Sequence, residues 1–591
     1  MGDIIKIFSD VGSAYQSDEK RIKNKAYEYD TICVYLCDIE TKTIDIDLNI
    51  PKDDLIICRF GVGANSGNLF PNVPLIIKDI NKDENKFIKG ILKSVENLLS
   101  FFKEDETKNN EILKILSQNV DKNFFLEIID DIKNLEKRKK DKSKKVANYF
   151  SLSYQRRPIS AYFKQIFETH ITPKGSNLIY GFDMLSNAQG IGGDANLAFC
   201  SVNEMPDNLK HIKHRLLPLN HLNAYRVQNG FLAIDKWLSF AFYGIKMAIL
   251  PTVISSDDTL FAEALKILEA SSKASIQDIE DMEININEHL EYVAKLESKI
   301  PILNTILFYN KSNSAVDVLL QIDDVLPSFI SHISDKMGRN SIKAFIGKDF
   351  DKSSNVIYLQ NLFEDRLEIM NLLLSRKKIN LDVIMSKYSH LIYNGSASKK
   401  YSSPINWGMY FNDYDPKRSI KTISRYQKFF NEIDVLSEKL ILQKEFDLQN
   451  LKNKQEVLRS LVQESEFVKE NDVLKAAYLL GMFCSSIIKW QYGINGGNSF
   501  NKWLNASGAI TKESLERIWK KADETKRKLE NTSRSGNANL NQIKECLIEI
   551  LPQAFLCDKV VKSSYVTLAF AMGGSDFNKF IKDEKKENED E

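Results

Sequence analysis

A chain of 591 residues with 81 Lys and Arg against 80 Asp and Glu carries a formal charge of only +1, so any case for a polyanionic partner must come from local clusters. Apolar residues make up 43% and charged residues 27%, proportions that exclude a disordered or low-complexity chain and fit a soluble globular one. The length exceeds what one core keeps absorbing, and two to four domains are expected.

In chain order, Met1 to Lys6 lacks a signal-peptide core, and Lys6 stands where a myristoylation signal carries Ser or Thr; a cytoplasmic protein without export or lipid anchor is expected. Three β-rich runs follow, Thr31 to Cys37, Thr43 to Leu48 and Leu55 to Phe60, and predict a small sheet. Cys33 and Cys37, four apart in the first run, stand too far apart along an extended strand to bridge easily and read as core. The seven cysteines include no CxxC pair, the pattern of reduced thiols. Gly61 to Asn68, GVGANSGN, is a loop of residues that tolerate positive φ and leave backbone open to a partner.

From Lys86 to about Lys140 apolar residues return at helical spacing, as in Phe87, Ile91, Leu92, Val95 and Leu98. Residues 159 to 335 mix short strands, Gly-rich loops such as Gly190 to Gly193, and apolar helices. The apolar stretch Trp237 to Ile254 is interrupted by Lys246 and Pro251 and reads as buried core, not as a membrane span. Residues 336 to 425 predict a helical connector broken at Asn394 to Pro416. Helical segments near 419–445, 447–467, 472–491, 511–531, 539–557 and 563–581 then predict a bundle, with Thr511 as a helix cap and with Trp490, Trp503 and Trp519 in its core. The tail from 582 to 591 is nearly all charged and is expected to be disordered. The expected fold class is α+β: a mixed α/β amino-terminal region, 1–335, a helical connector, 336–425, and a carboxy-terminal α-helical bundle, 426–581.

The chain carries no GxxxxGK[ST], HExxH or GxSxG, and no adjacent His-Asp pair; no catalytic residue and no cofactor are expected. His211, His214 and His221 are the best metal candidates, yet they lack a Cys or carboxylate partner at a usual spacing and lie among Lys210, Lys213 and Arg215, so no metal is expected. The strongest nucleic-acid signal lies between Glu136 and Arg157, where nine Lys and Arg stand against two acids, with Tyr149, Phe150 and Tyr154 interleaved where they could stack on bases. Its candidate contacts are Lys137, Arg138, Lys139, Lys140, Lys144, Lys145, Arg156 and Arg157. Asn65 and Asn68 of the Gly-Asn loop offer donor and acceptor to a base edge. A weaker positive field gathers in the bundle around Lys520, Lys521 and Arg527.

Four segments together resemble one family. AYRVQNGFLAIDKWLSFAFYGIKMAILP, after Leu216-Leu217-Pro218-Leu219, looks like the central signature of the large subunit of type I-B CRISPR interference complexes, in which a helix leads to an F-Y-G turn. Leu303 to Tyr309, with Lys311 to Ala315 and Asp324 to Ser328, is similar to the next block. Tyr478 to Met482, with Gln491-Tyr492 and Phe500 to Asn505, matches the pattern that opens the carboxy-terminal bundle, and Leu568 to Gly573 resembles its closing helix. The first 200 residues diverge, and the zinc-binding insert of some relatives is reduced here to Cys200.

The resemblance implies a non-enzymatic subunit of a guide-RNA complex that reads the protospacer-adjacent motif, stabilises the R-loop and recruits the helicase-nuclease. Its implied partners are guide CRISPR RNA, the backbone and guide-end-capping subunits, target double-stranded DNA, the helicase-nuclease and a small subunit translated from within the same gene. That small subunit would begin at Met409 or at a non-methionine codon, since no methionine lies between Met409 and Met482. The large subunit of another subtype, I-C, is the neighbouring alternative. A metal-dependent nucleic-acid enzyme using Asp323 and Asp324, and a protein-only helical scaffold, are the others.

Overall fold

A computed structural model describes residues 2–16, 23–60, 67–135, 146–170, 178–192, 207–253, 302–312, 315–346, 356–393, 416–440, 453–497, 499–533 and 537–582, together with Leu197, Leu442 and short helical pieces between 261 and 282. It is an α+β fold in two units, Met1–Ile276 with Asn287–Asp324, and Gln277–Ile286 with Val325–Glu591. The first mixes sheets and helices, and the second is almost wholly helical.

In the first unit, helix α1 (Gly2–Ala14) precedes a sheet built from β1 (Thr31–Asp38), β2 (Ile44–Asp47), β3 (Asn72–Pro74), β4 (Val146–Tyr154) and the short β5 (Arg157–Pro158). Its order is β2-β1-β4-β3, with β5 against β4. Strand β1 is antiparallel to β2 and parallel to β4, from Thr31 opposite Val146 to Asp38 opposite Ser153. A parallel pair needs a crossover. Helices supply it: α2 (Glu84–Leu99), α3 (Glu111–Asn119) and α4 (Lys122–Lys133), each capped by a side chain, from Asp83, Asn110 and Asp121. Cys33, Tyr35 and Cys37 pack into the helical core with Ile91, Leu98 and Phe125, while Val34 and Leu36 face a smaller cluster with Leu55, Ile57 and Tyr149. Burial pushes the Cys37 thiol up to about 12, so it packs as an inert apolar group.

Two expectations change here. Leu55 to Phe60 forms no strand: Leu55, Ile56 and Ile57 are buried, but two of their amides bond side chains, Ile57 N to Asn24 Oδ1 at 2.9 Å and Ile56 N to Ser160 Oγ at 3.2 Å. The strand that fills the sheet is β4, in which Tyr149, Phe150 and Tyr154 are buried, at 3%, 0% and 8% exposure. They are core residues and offer no face to a base.

A hairpin of β6 (Leu178–Phe182) and β7 (Gln189–Gly192) leads towards helix α5 (His221–Ala233). A single π-helical turn, Ile234–Leu238, follows, and then the second sheet: β8 (Ser239–Phe242), β9 (Ile245–Val253), β10 (Ile302–Ser312) and β11 (Ala315–Val325), in the order β11-β10-β9-β8. Tyr243 and Gly244, at φ 45° and 91°, make the tight turn between β8 and β9, the F-Y-G turn that the resemblance implies. Helices α1 and α5 meet backbone to backbone. A Cβ on Gly12 would stand 1.9 Å from Arg226 O, and one on Gly230 1.7 Å from Phe8 O.

The second unit runs through α6 (Pro327–Arg339), α7 (Arg366–Leu374), α8 (Leu381–Tyr393), α9 (Pro416–Glu432), α10 (Lys454–Glu464), α11 (Asp472–Asn495), α12 (Ser499–Ala506), α13 (Lys512–Ser533), α14 (Ala538–Leu556) and α15 (Ser563–Lys582). The expected boundary at 425/426 falls inside α9. Helix α11 is long and apolar enough to cross a membrane, by length and composition, and 72% of its most apolar window is buried in the bundle. Thr511 and Ser514 bond each other's amides, so Thr511 caps α13 as expected. Trp490, Trp503 and Trp519 are only half-buried. The bundle's core is instead built from aliphatic side chains and single-ring aromatics, with Tyr478, Leu480, Phe483, Leu504, Leu515 and Phe570 fully covered, because α11 and α15 approach too closely for an indole between them. The break at Asn394 to Asp415, the 582–591 tail beyond Lys582 and Cys200 lie outside the described residues.

Candidate nucleic-acid interface

Of the expected contacts, Asn65, Lys137, Arg138, Lys139, Lys140, Lys144 and Lys145 lie outside the described residues. Asn68 is half-buried and engaged: its side-chain amide donates to Asn72 O at 2.7 Å, and its main-chain carbonyl accepts from Asn97 Nδ2 at 2.8 Å. Asn72 is fully buried and bonds Ile56 O, Ser160 and Ser151, so this end of the loop is tied into the first sheet.

Arg156 lies in the turn from β4 to β5, where it and Gln155 take φ 61° and 47°, and Arg157 opens β5. Both are exposed, and both meet carboxylates: Arg156 Nε to Asp45 at 3.1 Å and Arg157 Nη2 to Asp54 at 3.4 Å. Lys520, Lys521 and Arg527 share α13 and each has an acid one turn away, Glu516 at 2.6 Å, Glu524 at 3.1 Å and Asp523 at 2.8 Å. Exposed pairs of this kind contribute little to stability, and each acid offsets part of the positive charge that the sequence suggests.

His211 lies in the turn between the short helices Asp207–Lys210 and Lys213–Leu216, and His221 opens α5. Among the described residues no group of three or more His, Cys, Asp or Glu comes together to hold a metal ion. Asp323 is taken up by Thr305 Oγ1 at 3.0 Å and Gln321 Nε2 at 2.9 Å.

An arrangement missed in the sequence lies where α5 meets the second sheet. Asp235, on the π-helical turn, is 11% exposed and accepts from Lys246 Nζ at 2.6 Å, from Lys311 Nζ and from Tyr309 Oη at 3.2 Å. Tyr309 stands opposite Lys246 in the β9–β10 ladder, so both point to one face of the sheet. The extra residue of a π turn carries the carboxylate to meet them. Burial pushes the Asp235 pKa up, but hydrogen bonds and charge from the two lysines outweigh it, and the net shift is downward. Asp235→Ala is expected to cost about 1–2 kcal/mol, less than a fully buried pair because both lysines reach solvent. A thermal melt of the purified chain checks it. The depressed pKa makes this contribution present above the unfolded carboxylate range and lost as pH falls through the folded value, so wild type and variant should converge only in strong acid.

Asp235, Lys246, Tyr309 and Lys311 all fall within residues 214–325, the segment that matches the central domain of CRISPR-associated protein TM1802. That segment runs from the short helix Lys213–Leu216, through α5 and the π turn, to the end of β11. No curated protein matches the chain. Over residues 214–325 the chain is therefore similar to the central domain of a CRISPR-associated protein, and the match supports a place among the CRISPR-associated proteins.

Proposed function

We propose that this chain is the large subunit of a type I-B CRISPR RNA-guided complex, a cytoplasmic, non-catalytic protein that works by binding nucleic acid. The observation that carries the reading is the match over 214–325, which spans the first central block of the resemblance, Leu216 to Pro251, and the second, Leu303 to Ser328, as far as Val325. On this reading the chain joins guide CRISPR RNA and the backbone and guide-end-capping subunits. It inspects the motif beside the target in double-stranded DNA, holds the R-loop open and offers a surface to the helicase-nuclease. The chemistry is backbone electrostatics with a few groove contacts, and guide pairing supplies sequence choice.

The test is co-expression of the tagged chain with its operon neighbours and a guide RNA. Expected are a stable ribonucleoprotein, target binding that depends on the adjacent motif, and labelled single- and double-stranded DNA left intact by the chain alone with Mg²⁺ or Mn²⁺. Cleavage by the isolated chain overturns the non-catalytic reading, and failure to enter a guide-RNA complex overturns the subunit assignment. Mass spectrometry of the same preparation should find a carboxy-terminal fragment in excess over full-length chain, beginning near Met409 or at a hidden start codon. Its absence removes the internally translated small subunit from the list of partners.

A further inference from the structure

Helix α9 is amphipathic in an unusual way. Its buried side carries Ile420, Ile423, Tyr426, Gln427, Phe429 and Phe430, at helical spacing. Its other side carries Lys417, Arg418, Lys421, Arg425 and Lys428, and the sole acid in its sequence is Glu432, its last residue. At 100° per residue these five cations fall within an arc of about 100°, and from Lys417 to Lys428 they run about 16 Å along the axis. Helix α13, with seven cations, intersperses five acids among them and pairs them off. On α9 the pair to Glu432 is long, 3.9 Å from Lys428, whose side chain is 67% exposed. Lys417, Arg418 and Lys421 are exposed.

Neighbouring segments bring further cations, some of them paired. Arg425 reaches across to the carbonyls of Asn340 and Ser341, at 2.8 and 2.7 Å, which sets α9 beside the end of α6, with Lys336 and with Arg339 paired to Asp335 at 2.9 Å. The Arg376-Lys377-Lys378 loop is tied to the segment just after α9, through Lys378 to Asp434 at 2.6 Å and the Ile379–Leu436 bridge. None of the exposed large apolar side chains among the described residues lies on α9, so this face lacks the aliphatic or aromatic anchor that a protein interface requires. What it offers is a row of cations with the axial length of four to five phosphates of one strand.

We propose that the exposed face of α9, centred on Lys417, Lys421 and Lys428, binds a nucleic-acid phosphodiester backbone without regard to sequence. It rests on the reading above only in taking nucleic acid as the polyanion, and it names a surface that the sequence did not.

The test uses the full chain, with fluorescence anisotropy of labelled single-stranded and duplex DNA over a salt series. Replacing Lys417, Lys421 and Lys428 with Glu should weaken binding by roughly tenfold or more near 100 mM salt, and lower the slope of log K against log salt by about 2 to 3. The Gln triple variant should fall between, and thermal melts should match wild type because the three side chains are exposed. The same change at Lys520, Lys521 and Lys528, where each cation has a partner, should do less. Equal losses on α9 and α13 overturn the proposal in favour of bulk charge, and an unchanged slope overturns it outright. Unchanged DNA binding with loss of a co-purifying protein assigns the face to an acidic protein and likewise overturns it. A chain that assembles with guide RNA but shows no dependence on α9 overturns this surface alone; one that neither assembles nor binds DNA overturns both readings.

Discussion

Replacing Gly573 with alanine is expected to lower the melting temperature of the second unit by about 6–12 °C, against the direction that helix propensity alone predicts. Alanine in a helix interior is ordinarily better than glycine by about 1 kcal/mol. Here α11 and α15 lie backbone on backbone: a Cβ on Gly573 would stand 1.8 Å from Tyr478 O, and one on Gly481 would stand 1.8 Å from Phe570 O. The listless freedom of glycine is not the point; the missing Cβ is what lets the helices touch. With alanine they must part by more than an ångström, which opens the layer holding Leu480, Phe483 and Phe570 and strains the buried bond from Tyr478 Oη to Asp576 Oδ2, now 2.8 Å. Overpacking of this severity should cost about 3 kcal/mol or more. Gly493 is the control, since it lies on the same helix α11 with nothing within 4 Å of its would-be Cβ. Gly493→Ala should be neutral or slightly stabilising, and circular-dichroism melts of both variants decide the matter. If Gly573→Ala and Gly493→Ala melt alike, the close approach does not hold.

That contact joins two segments whose order the sequence displayed but whose meeting it did not. Tyr478 to Met482 and Leu568 to Gly573 stood out as motifs of a resemblance, and they prove to be two sides of one helix pair. Element type was legible wherever a period was strong, as in Thr31 to Cys37 or the five long helices from α10 onwards, because burial of one stripe or of a β-branched run writes itself locally. It failed at Leu55 to Phe60, where the amides are satisfied by Asn24 and Ser160, partners that no local pattern displays. It failed again at Tyr149, Phe150 and Tyr154. Strand β4 is buried on both faces, but Asn148, Ser151 and Ser153 break its apolar run, and beside a string of lysines its aromatics looked like interleaved stacking residues. The candidate site was harder still, since charge on a helix is informative only once its acids are assigned. Lys520, Lys521 and Arg527 drew notice by number, whereas Lys417, Lys421 and Lys428 matter because the one acid of their own helix is its last residue, Glu432.

Replacing Asp183 with alanine is expected to cost about 3 kcal/mol and to release the β6–β7 hairpin from α5. The carboxylate is fully buried and accepts five hydrogen bonds: from Leu185 N, Ser186 N and Ser186 Oγ in its own loop, from Asn223 Nδ2 at 2.7 Å, and from Asn220 N at 2.5 Å. Asn220 is the cap of α5, so one aspartate holds both the turn of the hairpin and the start of the first long helix of the matched segment. Removing it leaves buried amides without an acceptor, each worth about 1–3 kcal/mol, offset by the bonds that remain from Met184 N to Pro218 O and Gly192 N to Leu219 O. Burial pushes the Asp183 pKa up, but the bonds from Asn220, Ser186 and Asn223 outweigh it, and the net shift is downward. A depressed carboxylate stabilises above its unfolded value, near 3.9, and its contribution fades as pH falls through the lower folded value. Wild type should therefore lose hairpin protection only in acid, while Asp183→Ala should lack it already at neutral pH. Hydrogen exchange of residues 178–192 reads this directly, and it matters because Leu178, Tyr180 and Phe182 on β6 are held in solvent at 59%, 82% and 58% exposure, where a loose strand would collapse or aggregate. Equal exchange in wild type and variant at neutral pH would show that the backbone bonds alone hold the hairpin and that Asp183 is not its anchor.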